Sequence, residues 1–139
     1  MSLSIRNQLA GTVTAVTVGE AMATVKVRLA GGQEITAAVT AEAVKDLGIT
    51  SGSAVKALVK ATEVALATAP VENLSIRNQI TGTVAEIAAG QAMAAVKVNV
   101  SGGGLTAAVT ADAVEALGLS AGSSVVALIK STEISLATT

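Results

Sequence analysis

Residues 34–48 read Glu-Ile-Thr-Ala-Ala-Val-Thr-Ala-Glu-Ala-Val-Lys-Asp-Leu-Gly, and in this stretch a strand pattern leads directly into a helix pattern. Glu34 to Val39 predicts a β-strand. Thr40 is a suitable helix N-cap, an acidic residue follows in the first turn, and Gly48 is a typical residue just beyond a helix end. We therefore predict a short helix from Ala41 to Leu47 directly after a strand.

The segments on either side of this helix predict strands. Gly11 to Val18 alternates Thr and Val, and Val25 to Leu29 alternates apolar and charged residues, as half-buried strands do. Glycines between these runs indicate hairpin turns. Ser53 to Lys60 and Thr62 to Ala67 predict two further strands. The order β-β-β-α-β-β, with the helix between strands three and four, is that of an OB-type barrel.

The whole pattern occurs twice. Leu3 to Gln8 returns unchanged as Leu74 to Gln79, and Thr36 to Ala41 returns as Thr106 to Ala111. The chain's single proline lies between the copies and indicates a linker. We predict a mainly β protein of two tandem OB-like five-stranded barrels, each with one short helix between strands 3 and 4. The predicted domains are residues 1–69 and 73–139, joined by a linker at 70–72.

The composition excludes several classes of chemistry. Of the 139 residues, 51% are hydrophobic, none is Cys, His or aromatic, and the formal net charge is −1. Disulfides, thiolate or imidazole coordination of a metal, and histidine-based catalysis are excluded. The lack of aromatic rings and of basic charge argues against nucleic acid and anionic membranes. We expect no enzyme activity, no cofactor, no membrane segment, and a cytoplasmic location.

The predicted core is thin. It consists of Ala, Val, Ile and Leu, and Met22 and Met93 are its largest expected members. A domain of about 70 residues buries little apolar surface on its own. We therefore expect a homo-oligomer whose contacts complete the core and cover exposed strand edges.

Three basic positions occur in both copies: Arg6 with Arg77, Lys26 with Lys97, and Lys60 with Lys130. Hydroxyls and amides accompany the first and third pairs, and all these groups can donate hydrogen bonds. A tetrahedral dianion offers only acceptors and needs a lining of donors. Other interpretations stay open at this stage. The arginines and lysines could be solvated surface residues, Thr40 and Thr110 could simply cap helices, and Lys26 and Lys97 could face outward from strands.

The pattern Ser-x-Arg-Asn-Gln, an Ala-Gly-Gly turn, Thr-Ala-x-Ala-Val-x-x-Leu-Gly and Lys-Ala-Thr-Glu-Val resembles the Mop domain. The resemblance covers 2–68 and 73–138 and is to molbindins with two Mop domains in tandem. It implies a trimer that binds molybdate or tungstate at subunit interfaces by hydrogen bonds, without direct coordination of the metal. It also implies that the Arg and Lys segments of a site come from different subunits.

The resemblance implies one set of oxyanion-binding residues in each copy and, near the oligomer axis, a second class of site. Ala43 and Ala113 depart from the family pattern, because many Mop domains have a serine there, so each site lacks one hydroxyl donor. The oxyanion-binding residues are Ser4, Arg6, Thr40, Lys60, Ala61, Ser75, Arg77, Thr110, Lys130 and Ser131, and the second class comprises Asn7, Gln8, Asn78 and Gln79.

The resemblance implies intracellular molybdate or tungstate binding for storage and homeostasis. One alternative is an oxyanion-responsive regulatory module that acts through a partner protein. A weaker alternative is an OB-fold nucleic-acid binder, against which the missing aromatic residues argue.

Overall fold

The computed structural model describes residues 2–139, and Met1, the first residue of the first predicted domain, lies outside them. The protein is mainly β, with two short helices, as predicted. A single 3-10 turn precedes the last strand of each repeat, at Ala61–Glu63 and Ser131–Glu133. The regular elements are β1 (Asn7–Val18), β2 (Met22–Leu29), β3 (Glu34–Thr40), α1 (Ala41–Leu47), β4 (Ala54–Val59), β5 (Ala65–Ala67), β6 (Asn78–Ala89), β7 (Met93–Val100), β8 (Gly103–Thr110), α2 (Ala111–Ala116), β9 (Ser124–Ile129) and β10 (Ser135–Thr138).

The two repeats exchange their last strands. The first sheet has the order β10-β4-β1-β2-β3 and the second the order β5-β9-β6-β7-β8, with antiparallel pairing throughout. Ser135 of the second repeat lies opposite Leu58, and Ala65 of the first repeat lies opposite Leu128. The sequence pattern predicted a strand from Thr62 to Ala67, but Thr62 and Glu63 belong to the 3-10 turn and the strand begins at Ala65. The pattern also did not indicate this exchange. Each repeat therefore completes the sheet of the other.

The long strands β1 and β6 each pair with two neighbours, and a glycine lies where the two pairings overlap. Gly82 is opposite Val100 on one side and Val125 on the other. A Cβ at Gly82 would stand 2.6 Å from the carbonyl oxygen of Asn99 and 2.6 Å from Cγ1 of Val98. Because no larger residue fits, glycine permits the tight curl of the sheet here.

The helix prediction is confirmed in detail for α1. The Thr40 hydroxyl accepts a hydrogen bond from the backbone N–H of Ala43 at 3.0 Å. Gly48 adopts φ 64° in the left-handed region, which glycine enters without steric cost. The equivalent helix α2 follows Thr110, whose hydroxyl caps it in the same way at 3.0 Å. Both helices thus arise from local signals that the sequence displays.

One continuous apolar core runs through both repeats and consists of small and branched side chains. Val and Ile supply its largest fully buried members. Met22 and Met93, which we expected in the core, are about half exposed instead (50% and 49%), because each begins a strand at the end of a hairpin. Ile134, just before β10, is buried, and it lines a cavity with Val39 and Ile49 of the first repeat. The exchanged segments therefore add core side chains, as well as strands, to the other repeat.

Candidate functional site

The register of β6 and β9 brings the Arg segment and the Lys segment of the second repeat together. Asn78 lies opposite Ile129, so Arg77 and Lys130 occupy neighbouring positions at the ends of adjacent strands. They line one cavity of about 270 Å³, which we call the Arg77 cavity. Its lining residues are Ser75, Ile76, Arg77, Lys130, Ser131 and Thr132. A second subunit is not needed to bring the two segments side by side.

The cavity carries two cationic side chains. Arg77 is exposed, and its Nη2 donates to the carbonyl oxygen of Leu74 at 2.8 Å, which steadies the guanidinium locally. Lys130 is also exposed, and its backbone carbonyl accepts from the N–H of Glu133 at 3.0 Å. The positive charges of Arg77 and Lys130 repel each other, and an anion placed between them is attracted to both.

Ser131 adds a hydroxyl group to the lining of the Arg77 cavity. Its Oγ is buried and has no hydrogen-bond partner among the described residues. A buried polar atom without a partner is uncommon and disfavours the folded state by about 1–3 kcal/mol. Because Ser131 lines the Arg77 cavity, a bound acceptor could satisfy this hydroxyl after rotation about χ1.

The first repeat places the equivalent residues in the same way. Asn7 lies opposite Val59, so Arg6 and Lys60 are also neighbours at the ends of adjacent strands. The Arg6 guanidinium donates to the carbonyls of Leu3, at 2.7 Å, and Ser4, at 3.2 Å. Ala61 occupies the position of Ser131 and brings no hydroxyl. We call this arrangement the Arg6 position.

Two carboxylates lie close to the Arg77 cavity. Glu63 of the first repeat and Glu133 of the second line an adjoining cavity with Lys130 and Ile76. The exchange of last strands brings the 3-10 turn of the first repeat against β8, which explains the presence of Glu63 there. These negative charges offset part of the positive potential that an anion would encounter.

The predicted site residues Thr40 and Thr110 are not among those that line the Arg77 cavity. Each hydroxyl accepts a hydrogen bond from a helix N–H, so the capping interpretation is confirmed for both. Both threonines are exposed. Their part in an anion site stays a prediction.

Asn7 and Asn78 link the repeats to each other. Both are buried, 2% and 3% exposed. The Asn7 amide accepts from the N–H of Thr106 at 2.7 Å and donates to its carbonyl at 2.9 Å. Asn78 does the same to Thr36, at 2.8 and 2.9 Å, and also donates to the carbonyl of Ile129 at 3.0 Å. These amides replace missing strand partners across the repeat boundary.

Gln8 and Gln79 are half-buried and bind the backbone near the strand starts. Gln8 donates to the carbonyl of Ile5 at 3.1 Å and lines a cavity of about 250 Å³ between the repeats. Gln79 holds Val71 of the linker, accepting from its N–H at 3.0 Å and donating to its carbonyl at 2.9 Å. The idea that Asn7, Gln8, Asn78 and Gln79 form a second anion site stays a prediction.

Ile76 was not among the predicted ligands, although it lines the Arg77 cavity. Thr132, which follows Lys130 and Ser131 in the donor-rich segment, lines the cavity as well. No signal marks Ile76, because an isoleucine at a strand start is typical of any sheet. Within residues 2–139, no group of three or more acidic residues is arranged to hold a metal ion. No helix in that range is long and apolar enough to cross a bilayer.

Comparison with known proteins identifies the family. The family model described as "TOBE domain" matches residues 3–66 and again residues 74–136, which together cover most of the chain. The chain belongs to the TOBE domain family. Its two TOBE domains stand in tandem, which agrees with the resemblance drawn from the sequence.

Several relatives carry names that refer to molybdenum. The chain is 40% identical over 138 residues to the molybdenum transport protein ModE of Azotobacter vinelandii, covering 99% of this chain and 51% of the relative. It is 40% identical over 136 residues to the molybdenum-pterin-binding protein MopB of Rhodobacter capsulatus, covering 96% of this chain and 50% of that protein. This TOBE-domain chain therefore spans about half the length of these relatives.

A solved structure resembles the chain over its whole length. The cytoplasmic molybdate-binding protein ModG, in a crystal form with molybdate bound, superposes with a TM-score of 0.97 at 40% identity. The match covers 100% of both chains. The arrangement of two TOBE domains in this chain is therefore that of ModG.

Proposed function

We propose that this protein binds a tetrahedral dianion, molybdate or tungstate, for storage and homeostasis in the cytoplasm. The observation that carries the proposal is the Arg77 cavity. It combines two cationic side chains, the hydroxyls of Ser75 and Thr132, and the buried, unpartnered hydroxyl of Ser131. Every one of these groups can donate a hydrogen bond.

The chemistry of the ligand matches this lining. A fully deprotonated tetrahedral oxyanion has four acceptor oxygens and no donor, so a site made of donors leaves none of its oxygens facing another acceptor. A hydrogen bond to a charged group contributes about 1.5–3 kcal/mol. Two such bonds and a few neutral ones reach micromolar affinity after the entropic cost of ordering the ligand and the side chains is subtracted.

The names of the relatives support the choice of anion. ModG is described as a cytoplasmic molybdate-binding protein, and MopB as a molybdenum-pterin-binding protein. The proposed role is binding without catalysis, and it needs no cofactor beyond the anion itself. The metal of the oxyanion stays surrounded by its own oxygens, which suits a chain without His or Cys.

We further propose that the chain forms a homotrimer and that subunit contacts complete the anion sites. The cavity at Arg77 is open to solvent in the single chain, and Thr110 lies outside it. A neighbouring subunit could supply Thr110 and exclude water, which would strengthen every hydrogen bond to the anion. The equivalent site in the first repeat would use Ser4, Arg6, Lys60, the backbone N–H of Ala61, and Thr40.

Equilibrium dialysis against molybdate with sulfate in excess tests the proposal, with molar mass determined on the same sample. We expect saturable binding of more than one molybdate per chain by a protein of three times the chain mass. Binding that sulfate abolishes would contradict the choice of anion. Saturable molybdate binding by a sample whose molar mass is that of a single chain would contradict the interfacial sites.

A further inference from the structure

The two anion sites of one chain present different sets of free donors. At the Arg77 cavity, Ser131 holds a buried hydroxyl that no residue in the described part of the chain satisfies. At the Arg6 position, Ala61 has no side-chain donor. The remaining residue types are the same at both, namely a serine, an arginine, a lysine and a threonine (Ser75, Arg77, Lys130 and Thr132 against Ser4, Arg6, Lys60 and Thr62).

The two arginine side chains also differ in the number of hydrogen bonds that they already make within the chain. Arg6 donates from Nε to the Ser4 carbonyl at 3.2 Å and from Nη2 to the Leu3 carbonyl at 2.7 Å. Within residues 2–139, Arg77 donates only from Nη2, to Leu74 at 2.8 Å. Arg77 therefore keeps its Nε–H for a ligand, whereas Arg6 must break a bond to offer the same group.

Both differences act in the same direction. The Ser131 hydroxyl loses nothing when it turns toward an anion, because it has no bond to give up, and the ligand relieves an unsatisfied polar group. The free Nε–H of Arg77 adds a charge-assisted donor at no cost in existing hydrogen bonds. The Arg6 position offers neither donor, because Ala61 has no hydroxyl and the Nε–H of Arg6 is already bonded to the Ser4 carbonyl.

From these observations, and on the basis of the proposed function, we propose that the second-repeat site binds the oxyanion more tightly and fills first. The chain then has two classes of site, a tight one at Arg77 and a weaker one at Arg6. Ser131 is the residue that sets the larger part of the difference. One added hydrogen bond from the Ser131 hydroxyl to the anion corresponds to about a tenfold difference in Kd.

Isothermal titration of the intact protein with sodium molybdate tests the proposal on the wild type and five variants. The wild type should show two classes of site whose Kd values differ about tenfold. Ser131→Ala should weaken the tight class until both classes are alike. Ala61→Ser should strengthen the weak class by a similar factor. Each variant places at one position the residue that the other repeat already carries, so both should fold.

The double variant Ala61→Ser with Ser131→Ala serves as the matched control, because it exchanges the two residues without altering composition. Combined with Arg77→Ala, it should leave a tight class at the first repeat, whereas Arg77→Ala alone should leave the weak class. Saturable binding with equal affinities in the wild type, or a Ser131→Ala protein with wild-type affinities, overturns this inference and leaves the proposed function standing. A wild type that binds no molybdate overturns both.

Discussion

Arg77 is exposed and makes one short-range hydrogen bond, so its side chain contributes little to folding and is free to serve a ligand. No acidic residue is among those that line the cavity that Arg77 shares with Lys130. Exposed pairs and single exposed charges change the free energy of unfolding by less than about 1 kcal/mol. The functional role of Arg77 can therefore be separated from its structural one.

We expect Arg77→Ala to weaken molybdate binding at the second-repeat site by about 10- to 100-fold, because a charge-assisted hydrogen bond is lost. Equilibrium dialysis should show fewer molybdate ions per chain at a fixed free concentration, with unchanged molar mass. Lys97→Ala is the control, since Lys97 is also exposed but lies in the middle of β7. If Lys97→Ala abolishes binding and Arg77→Ala does not, the site lies on another face of the sheet.

Asn78 is the opposite case, a buried polar residue whose amide is fully bonded. Replacing it by Ala leaves the N–H of Thr36 and the carbonyls of Thr36 and Ile129 without their partner. We expect the free energy of unfolding to fall by about 2–4 kcal/mol, measured by urea titration. Asn99→Ala, at an exposed position of β7, should cost less than about 0.5 kcal/mol. A similar small loss for Asn78→Ala would show that the cross-repeat amide bonds contribute little.

The sequence allowed the residues of the Arg77 cavity to be predicted better than the role of the asparagines. Ser75, Arg77, Lys130 and Ser131 were candidates because the resemblance carries them over as ligands, and the strand register brings them together. The amide of Asn78 was a candidate only for the second class of site that the resemblance implies near the oligomer axis. Its partner Thr36 is 42 residues away, and no local pattern marks such a contact.

The strand β6 pairs with β7 on one side and β9 on the other, and Gly82 lies where the two pairings overlap. Gly82 occupies the overlap between the β7 and β9 pairings, and a Cβ there would contact backbone as well as side chains. The backbone cannot move away without disturbing two ladders. A substitution at this position therefore affects the whole curl of the sheet.

We expect Gly82→Ala to lower the free energy of unfolding by about 1–3 kcal/mol through overpacking. The measurement is thermal or urea unfolding followed by far-UV circular dichroism. Gly103→Ala is a matched control, because Gly103 also lies in a strand, at the start of β8, and a Cβ there would meet nothing within 4 Å. Equal stability of the two variants would mean that the sheet can relax around Gly82.

Elements that depend on neighbours in sequence were predicted with nearly their observed bounds. The helix from Ala41 to Leu47 follows from Thr40 and Gly48, and both caps have the expected geometry. The last strands were harder, since β5 has three residues and β10 has four. Ala65-Leu-Ala67 and Ser135-Leu-Ala-Thr138 present the same alternation to either sheet, so the pattern cannot select a partner.

For the whole molecule, the exchange of strands makes each repeat depend on the other. Ile134 belongs to the second repeat by sequence, yet it lines a cavity with Ala38, Val39 and Ile49 of the first. Val64 correspondingly lines a cavity with Val109 of the second repeat. We therefore expect the two repeats to unfold in a single cooperative transition.

Ile134→Ala should lower the free energy of unfolding by about 2–5 kcal/mol, because a side chain that is 2% exposed is truncated. Hydrogen exchange should be accelerated most in β3 and α1, which are elements of the other repeat. The reciprocal variant Val64→Ala should act most strongly on β8. Acceleration confined to β8 and β9 in Ile134→Ala would contradict the exchanged packing.

The predicted linker, residues 70–72, lies within a longer exposed segment. The exposed segment 68–73 joins two halves that are already interlocked through β5 and β10. A protease that cuts this segment would therefore separate the polypeptide chemically while the folded particle stays in one piece. The two halves would then be held together without a covalent link, and the segment is a suitable place to split the molecule into two fragments that complement each other.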